Sequence, residues 1–129
     1  TEKVAEKSLA PGDHGTTYGG NPFVCAAVSA VLDIFEKEKL CDHVKQVGAY
    51  LEKQLDALAE RKESVKLRRG KGLMQGLVLN VPVGEVVVKA QKEGLLVIIA
   101  GGNVLRMVPP LVITGEHVDE MIEKLEKAL

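Results

Sequence analysis

The sequence predicts an α+β domain: a sheet of three or four mainly antiparallel strands with helices on one side. Three observations lead there. Two apolar helical stretches open the chain, the hydrophobic period changes from helical to alternating at Val65, and a helical stripe returns only after Thr114. The order read from these patterns is α-α-β-β-α-β-β-α, with no internal repeat and no low-complexity linker. The 129 residues, 46% apolar and 27% charged, suit one globular domain with a core of its own.

Residues 1–10 read as a short helix through Val4, Ala5, Ser8 and Leu9, stopped by Pro11-Gly12. The loop GDHGTTYGGNP follows, from Gly12 to Pro22. Asn21 is a good N-cap and Pro22 suits the first helical position, so a helix should start there and run to about Lys39. Its residues from Phe23 to Phe35 are apolar on nearly every side. Such a helix needs cover all round, and burial against another domain or subunit is expected. After a break at Lys39 to Asp42, a second helix carries Leu40, Val44, Val47, Leu51, Leu55 and Leu58 as one stripe.

From Val65 to Arg68 the residues alternate as a strand, and Gly70-Lys71-Gly72 is expected to turn the chain. Leu73 to Val81 reads as a longer, mostly buried strand in which Gly76 marks a close approach. Pro82 ends it. Gly84 to Glu93 forms a short helix with Val86, Val87 and Ala90 inward and Gly94 as its stop. Leu95 to Ala100 is an apolar strand, turned by Gly101-Gly102-Asn103 into Val104 to Val108 as a hairpin. Pro109-Pro110 forbids further pairing. Thr114 caps the last helix, with Glu116 in its first turn and Val118, Met121, Ile122, Leu125 and Leu129 on its apolar face.

Composition excludes several functions. A net charge of −1, 3% aromatics and no Trp provide neither a pull toward nucleic acid or anionic membrane nor a stacking platform. The basic residues Arg61, Lys62, Lys66, Arg68, Arg69 and Lys71 have acidic neighbours and read as a solvated face. The longest apolar run is broken by Ser29 and Asp33 and is too short to span a bilayer, and no signal peptide is visible. Cys25 and Cys41 are expected to be reduced, core-type thiols of a cytoplasmic protein. His14, His43 and His117 are scattered without partners at ligand spacing, so no metal site is expected. GKGLMQG is rejected as a dinucleotide loop, because its third glycine comes one residue late and it leads into a strand.

Two places can carry chemistry. Thr16 and Thr17 lie in a glycine-rich loop that opens a helix, a combination suited to an anion and above all to phosphate. An ordinary loop, its threonines bonded to their own backbone, is the competing reading and on spacing alone the favoured one. Arg106 sits mid-strand, sharing a face with Val104 and Val108. A guanidinium held on a strand is shaped for a bidentate carboxylate, although spacing alone favours an arginine reaching to water. No Ser-His-Asp or Cys-His set is present, and no catalytic residue is assigned.

HGTTYGGNP, the Ala-containing helix after it, RGKGLMQGLVL and LRMVPPLVIT occur in an order that resembles the C-terminal part of class III aminotransferases, the ω-aminotransferase group that uses pyridoxal 5'-phosphate. The similarity spans essentially the whole chain and is greatest to members acting on N2-acetylornithine. Ornithine, succinylornithine, acetyl-lysine and 4-aminobutyrate members share much of it. The resemblance implies the small C-terminal domain of a fold-type I transferase, with residues 1–20 a remnant of the large cofactor-binding domain and 21–129 the connecting helix and small domain. It implies that Thr17 holds the cofactor phosphate in the neighbouring subunit's site of a homodimer, that Thr16 lines the substrate pocket there, and that Arg106 clamps the substrate α-carboxylate.

In the family, the lysine that carries the cofactor and the aspartate facing its ring nitrogen both precede this segment. The chain, which opens at Thr1, is therefore expected to be a C-terminal fragment, inert alone. Its parent would move an amino group between N2-acetylornithine (or ornithine) and 2-oxoglutarate in arginine biosynthesis. The alternative is a non-catalytic anion-binding or dimerisation module.

Overall fold

A computed structural model describes residues 6–8, 10 and 12–129. The chain divides into two compact units, Thr1–Glu38 and Lys39–Leu129. In the first, residues 6–8 are helical; Val4, Ala5 and Leu9 of the expected helix, and its stop at Pro11, lie outside the described residues. Helix α1 spans Pro22–Lys37. Asn21 caps it as expected, its side-chain oxygen accepting from the Val24 N–H at 3.0 Å, with Pro22 in the first turn. No residue of α1 is buried within this chain, and Phe23 remains 83% exposed.

Helix α2 (Leu40–Arg61) opens the second unit behind Lys39, which has a left-handed φ of 49°. The first helix thus ends two residues sooner than expected. Two more helices follow, α3 (Val83–Lys92) and α4 (Gly115–Ala128). The strands β1 (Val65–Lys71), β2 (Met74–Leu79), β3 (Ile98–Ile99) and β4 (Val104–Met107) form one sheet in the order β1-β2-β4-β3. Every pairing is antiparallel. The α+β order and the four-stranded antiparallel sheet agree with the sequence reading.

The helices bury one face of this sheet. Leu51, Leu55 and Leu58 of α2, Val86 and Ala90 of α3, and Val118, Met121, Ile122 and Leu125 of α4 enclose Leu77, Leu79, Leu105 and Met107 in a single core. Each fully buried leucine contributes about 1.5–3 kcal/mol by removal from water. Val44 and Val47, expected in the stripe, are only half-buried, and Gly48 lies buried instead. A Cβ at Gly48 would come within 2.9 Å of Gly72 Cα, so helix and hairpin touch backbone to backbone there.

Four expectations need correction. Gly70 and Lys71 belong to β1 rather than to a turn, because Gly70 pairs with Gln75 and Lys71 with Met74. The chain reverses at Gly72-Leu73, where Gly72 takes φ +57°. The strand expected from Leu73 to Val81 is correspondingly shorter, Met74–Leu79. The strand expected from Leu95 to Ala100 is only Ile98–Ile99: Val97 turns into the core, and ladder pairing to β4 begins at Ile98. Cys25 and Cys41 are free but exposed. Cys25 lies on a helix with no buried residue, and Cys41 sits in the first turn of α2, ahead of most of the residues that reach the core.

Candidate functional site

In the first unit, the loop before α1 separates the two threonines. The Thr16 hydroxyl accepts from the Gly19 N–H at 3.3 Å, and a Cβ at Gly19 would collide with the Thr16 methyl, so a larger residue there would have to displace Thr16. The Asn21 side-chain amide donates to the Tyr18 carbonyl, which ties the loop to the cap. The backbone bonding expected of an ordinary loop thus occupies Thr16. Thr17 is exposed, and its hydroxyl has no partner among the described residues. A free hydroxyl just ahead of a helix N-terminus is a donor set that suits phosphate.

In the second unit, alternation along the strands sends Leu77, Leu105 and Met107 into the core and leaves Gly76, Val104 and Arg106 on the opposite face. That face holds a concavity of about 450 Å³ lined by Arg69, Lys71, Met74, Gly76, Val104 and Arg106 among others. Three of its lining residues are cationic and none is acidic. Arg106 is half-buried, and its Nε is buried without a hydrogen-bond partner. The arginine reaching to water, favoured on spacing alone, is modified to this extent: the side chain is only half-buried, but its Nε is shut off from water. An unsatisfied buried donor costs about 1–3 kcal/mol. A carboxylate entering the concavity would supply the missing acceptor, with the charge-assisted geometry arginine favours.

On the other, helix-covered face of the sheet lies a polar cluster that the sequence reading did not single out. Gln75 is 1% exposed, the one buried polar side chain among the described residues. Its amide donates to the Gly72 carbonyl at 2.7 Å and to Glu52 at 3.2 Å, and its oxygen accepts from Arg68 at 3.1 Å. Arg68 also grips Asp56 with two bonds, at 2.6 and 3.2 Å. The Asp56 hydrogen bond raises the Arg68 pKa above its ordinary value. Gln75 interrupting the apolar run from Leu73 to Leu79 was the available signal. Arg68, expected in the solvated basic face, instead anchors the β1–β2 hairpin to α2. Arg61 pairs with Glu126, while Arg69 and Lys71 stay exposed.

Two of the three histidines have structural partners, while His14 is exposed in the loop. His43 meets the Ile113 carbonyl, and His117 Nδ1 accepts from the Thr114 N–H at 3.1 Å in the cap of α4. No group of side chains among the described residues is arranged to hold a metal ion. No helix among them is long and apolar enough to cross a membrane.

A family model described as aminotransferase class-III matches residues 1–129. An acetylornithine aminotransferase of Gloeobacter violaceus is 48% identical over 126 residues, covering 96% of this chain and 32% of that protein. Among solved structures, an acetylornithine aminotransferase of Elizabethkingia anophelis superposes with a TM-score of 0.82 at 33% identity, over 93% of this chain and 31% of the other. An ornithine aminotransferase of Plasmodium yoelii gives 0.82 at 32% identity, over 93% and 32%. The chain spans about a third of the length of the relatives it matches.

Proposed function

The chain belongs to the class-III aminotransferases, and from that membership we propose that it is the C-terminal part of an enzyme exchanging an amino group between N2-acetylornithine, or ornithine, and 2-oxoglutarate. Its place would be arginine biosynthesis, in a cytoplasmic homodimer. The names of the similar proteins support the substrate pair. On this reading, residues 1–20 belong to the large domain and 21–129 to the connecting helix and small domain.

The family is dependent on pyridoxal 5'-phosphate, which when bound supplies the electron sink that lets an amino group leave one carbon and join another. Thr17 would donate its hydroxyl and N–H to the cofactor phosphate in the neighbouring subunit, and its free hydroxyl fits that task. Thr16, held by Gly19, would line the substrate pocket beside it. Arg106 would receive the carboxylate common to donor and acceptor and hold it against the sheet. The lysine that carries the cofactor would belong to the remaining two-thirds of the protein, so the isolated chain is inert.

The single observation that carries this reading is the buried, unpartnered Nε of Arg106 in a concavity of cations. Arg106→Ala in the full-length protein should raise KM for both amino acid and 2-oxo acid about a hundredfold, the loss of a charge-assisted pair. Unchanged KM for both would remove the clamp. For the isolated chain, pyridoxal phosphate and borohydride should leave no adduct at a unique lysine; such an adduct would overturn its inertness. The uncovered apolar surface of α1 favours a second reading, a dimerisation module. Ultracentrifugation that finds the isolated chain monomeric would argue against it.

A further inference from the structure

Gly76 stands directly opposite Arg106 in the β2–β4 ladder and opposite Arg69 in the β1–β2 ladder. Residues paired in this way project from the same face. One row of the sheet therefore reads Arg69, Gly76, Arg106, two guanidinium-bearing residues on either side of a strand that carries no side chain at that point. Backbone conformation does not demand a glycine there, because Gly76 is absent from the positive-φ residues. Space does. A Cβ at Gly76 would lie 2.9 Å from Val104 Cγ1, well inside the contact distance of packed carbons. The next nearest atoms, the Arg69 and Leu105 carbonyl oxygens, lie 3.7 Å away, so it is Val104, which lines the same concavity as Arg106, that would have to yield.

We propose that Gly76 is a specificity-determining residue for the carboxylate site: without a side chain it lets Val104 pack over it, which keeps open the concavity through which a substrate carboxylate reaches Arg106. The inference rests on the reading of Arg106 as the clamp. Gly76 makes no contact with the reacting atoms. It acts by leaving Val104 undisplaced, so it should govern binding and leave the chemical step alone.

The test uses the full-length protein with Gly76→Ala and Gly76→Val, beside Gly84→Ala, whose added Cβ would meet nothing within 4 Å. Glutarate, a dicarboxylate with no amino or oxo group, serves as the calorimetric probe, and KM and kcat are measured for both substrates. Glutarate affinity should fall about fivefold for alanine and about a hundredfold for valine, with KM rising in parallel and kcat within about twofold. Gly84→Ala should match the parent. Unaltered affinity in the valine variant, or a fall in kcat at constant KM, would overturn the proposal. Should the valine variant lose its cooperative melt, the alanine variant decides by its glutarate affinity alone. Arg106→Ala separates the two layers. If it leaves glutarate binding intact, the clamp reading fails and this inference with it; if it weakens binding and the Gly76 variants do not, only this inference fails.

Discussion

His43 Nε2 lies 2.8 Å from the carbonyl oxygen of Ile113, a contact 70 residues long in sequence. It ties the first turns of α2 to the residue before the N-cap of α4. The segment between that cap and Arg106 carries Pro109 and Pro110, which have no N–H to donate to any ladder. A side chain from elsewhere in the unit therefore helps to hold it. His43→Ala should cost about 1 kcal/mol and lower the melting midpoint by about 4–8 °C, as expected for a domain of this size. His43→Gln, which can still donate, should recover part of the loss in the same thermal scan.

Gln75 satisfies two groups of the hairpin at once, the Gly72 carbonyl and the Arg68 guanidinium. Gln75→Met keeps the volume and leaves both groups without that partner. Chemical denaturation should show a loss of about 1–3 kcal/mol. A neutral result would mean that the cluster relaxes around an apolar side chain.

Gly70 holds φ at +149° inside β1, where a Cβ would collide with the Met74 carbonyl oxygen. Neither strain nor clash can be relieved without opening the hairpin. Gly70→Ala is expected to destabilise by more than about 2 kcal/mol. Faster hydrogen exchange at the β1–β2 amides would locate the damage, and protection equal to that of the parent would refute it.

Thr17 and Thr16 differ in what they already hold. Thr17→Val should weaken cofactor retention by the full-length protein about tenfold without altering its melt in the cofactor-free form. Thr16→Val should loosen the loop through the lost Gly19 bond. Equilibrium dialysis of the cofactor distinguishes them: equal retention by the parent and the Thr17 variant would sink the phosphate role.

On α4, Lys124 holds the Glu120 carboxyl below its usual range, first by a hydrogen bond and then by charge; Lys127 does the same for Glu123. A carboxylate whose folded pKa is depressed stabilises the fold above its unfolded value, near 4.5. That stabilisation is lost as pH falls through the lower folded value. Both pairs are exposed, so the effect should be small and weaken with salt. The double variant Glu120→Gln, Glu123→Gln should show a flatter decline of melting temperature below pH 4.5 than the parent. The same acid slope in both proteins would show the pairs to be idle.

Local signals made much of this protein legible. The Asn21-Pro22 start, the stripes of α2 and α4, the Gly94 stop and the α-α-β-β-α-β-β-α order depend on capping chemistry and on periodicity. Both are properties of neighbouring residues. The strand ends were less legible. Gly70-Lys71-Gly72 has the composition of a turn, yet pairing with Met74 and Gln75 draws its first two residues into β1. Leu95 and Leu96 are as apolar as Ile98, but only Ile98 and Ile99 lie opposite β4.

Residue order and local chemistry were enough for the class of the fold, its family resemblance and the residue types able to hold phosphate and carboxylate. Tertiary structure alone decided which of them are free to do so. Gly19 claims Thr16 and leaves Thr17 unpaired, and register sets Gly76 beside Arg106, whose Nε lies buried without an acceptor. The physical reason is that a hydrogen-bonding group is available only when its neighbours in space have left it unsatisfied. For Arg106 those neighbours come from strands separated by about thirty residues, a separation that no local pattern encodes.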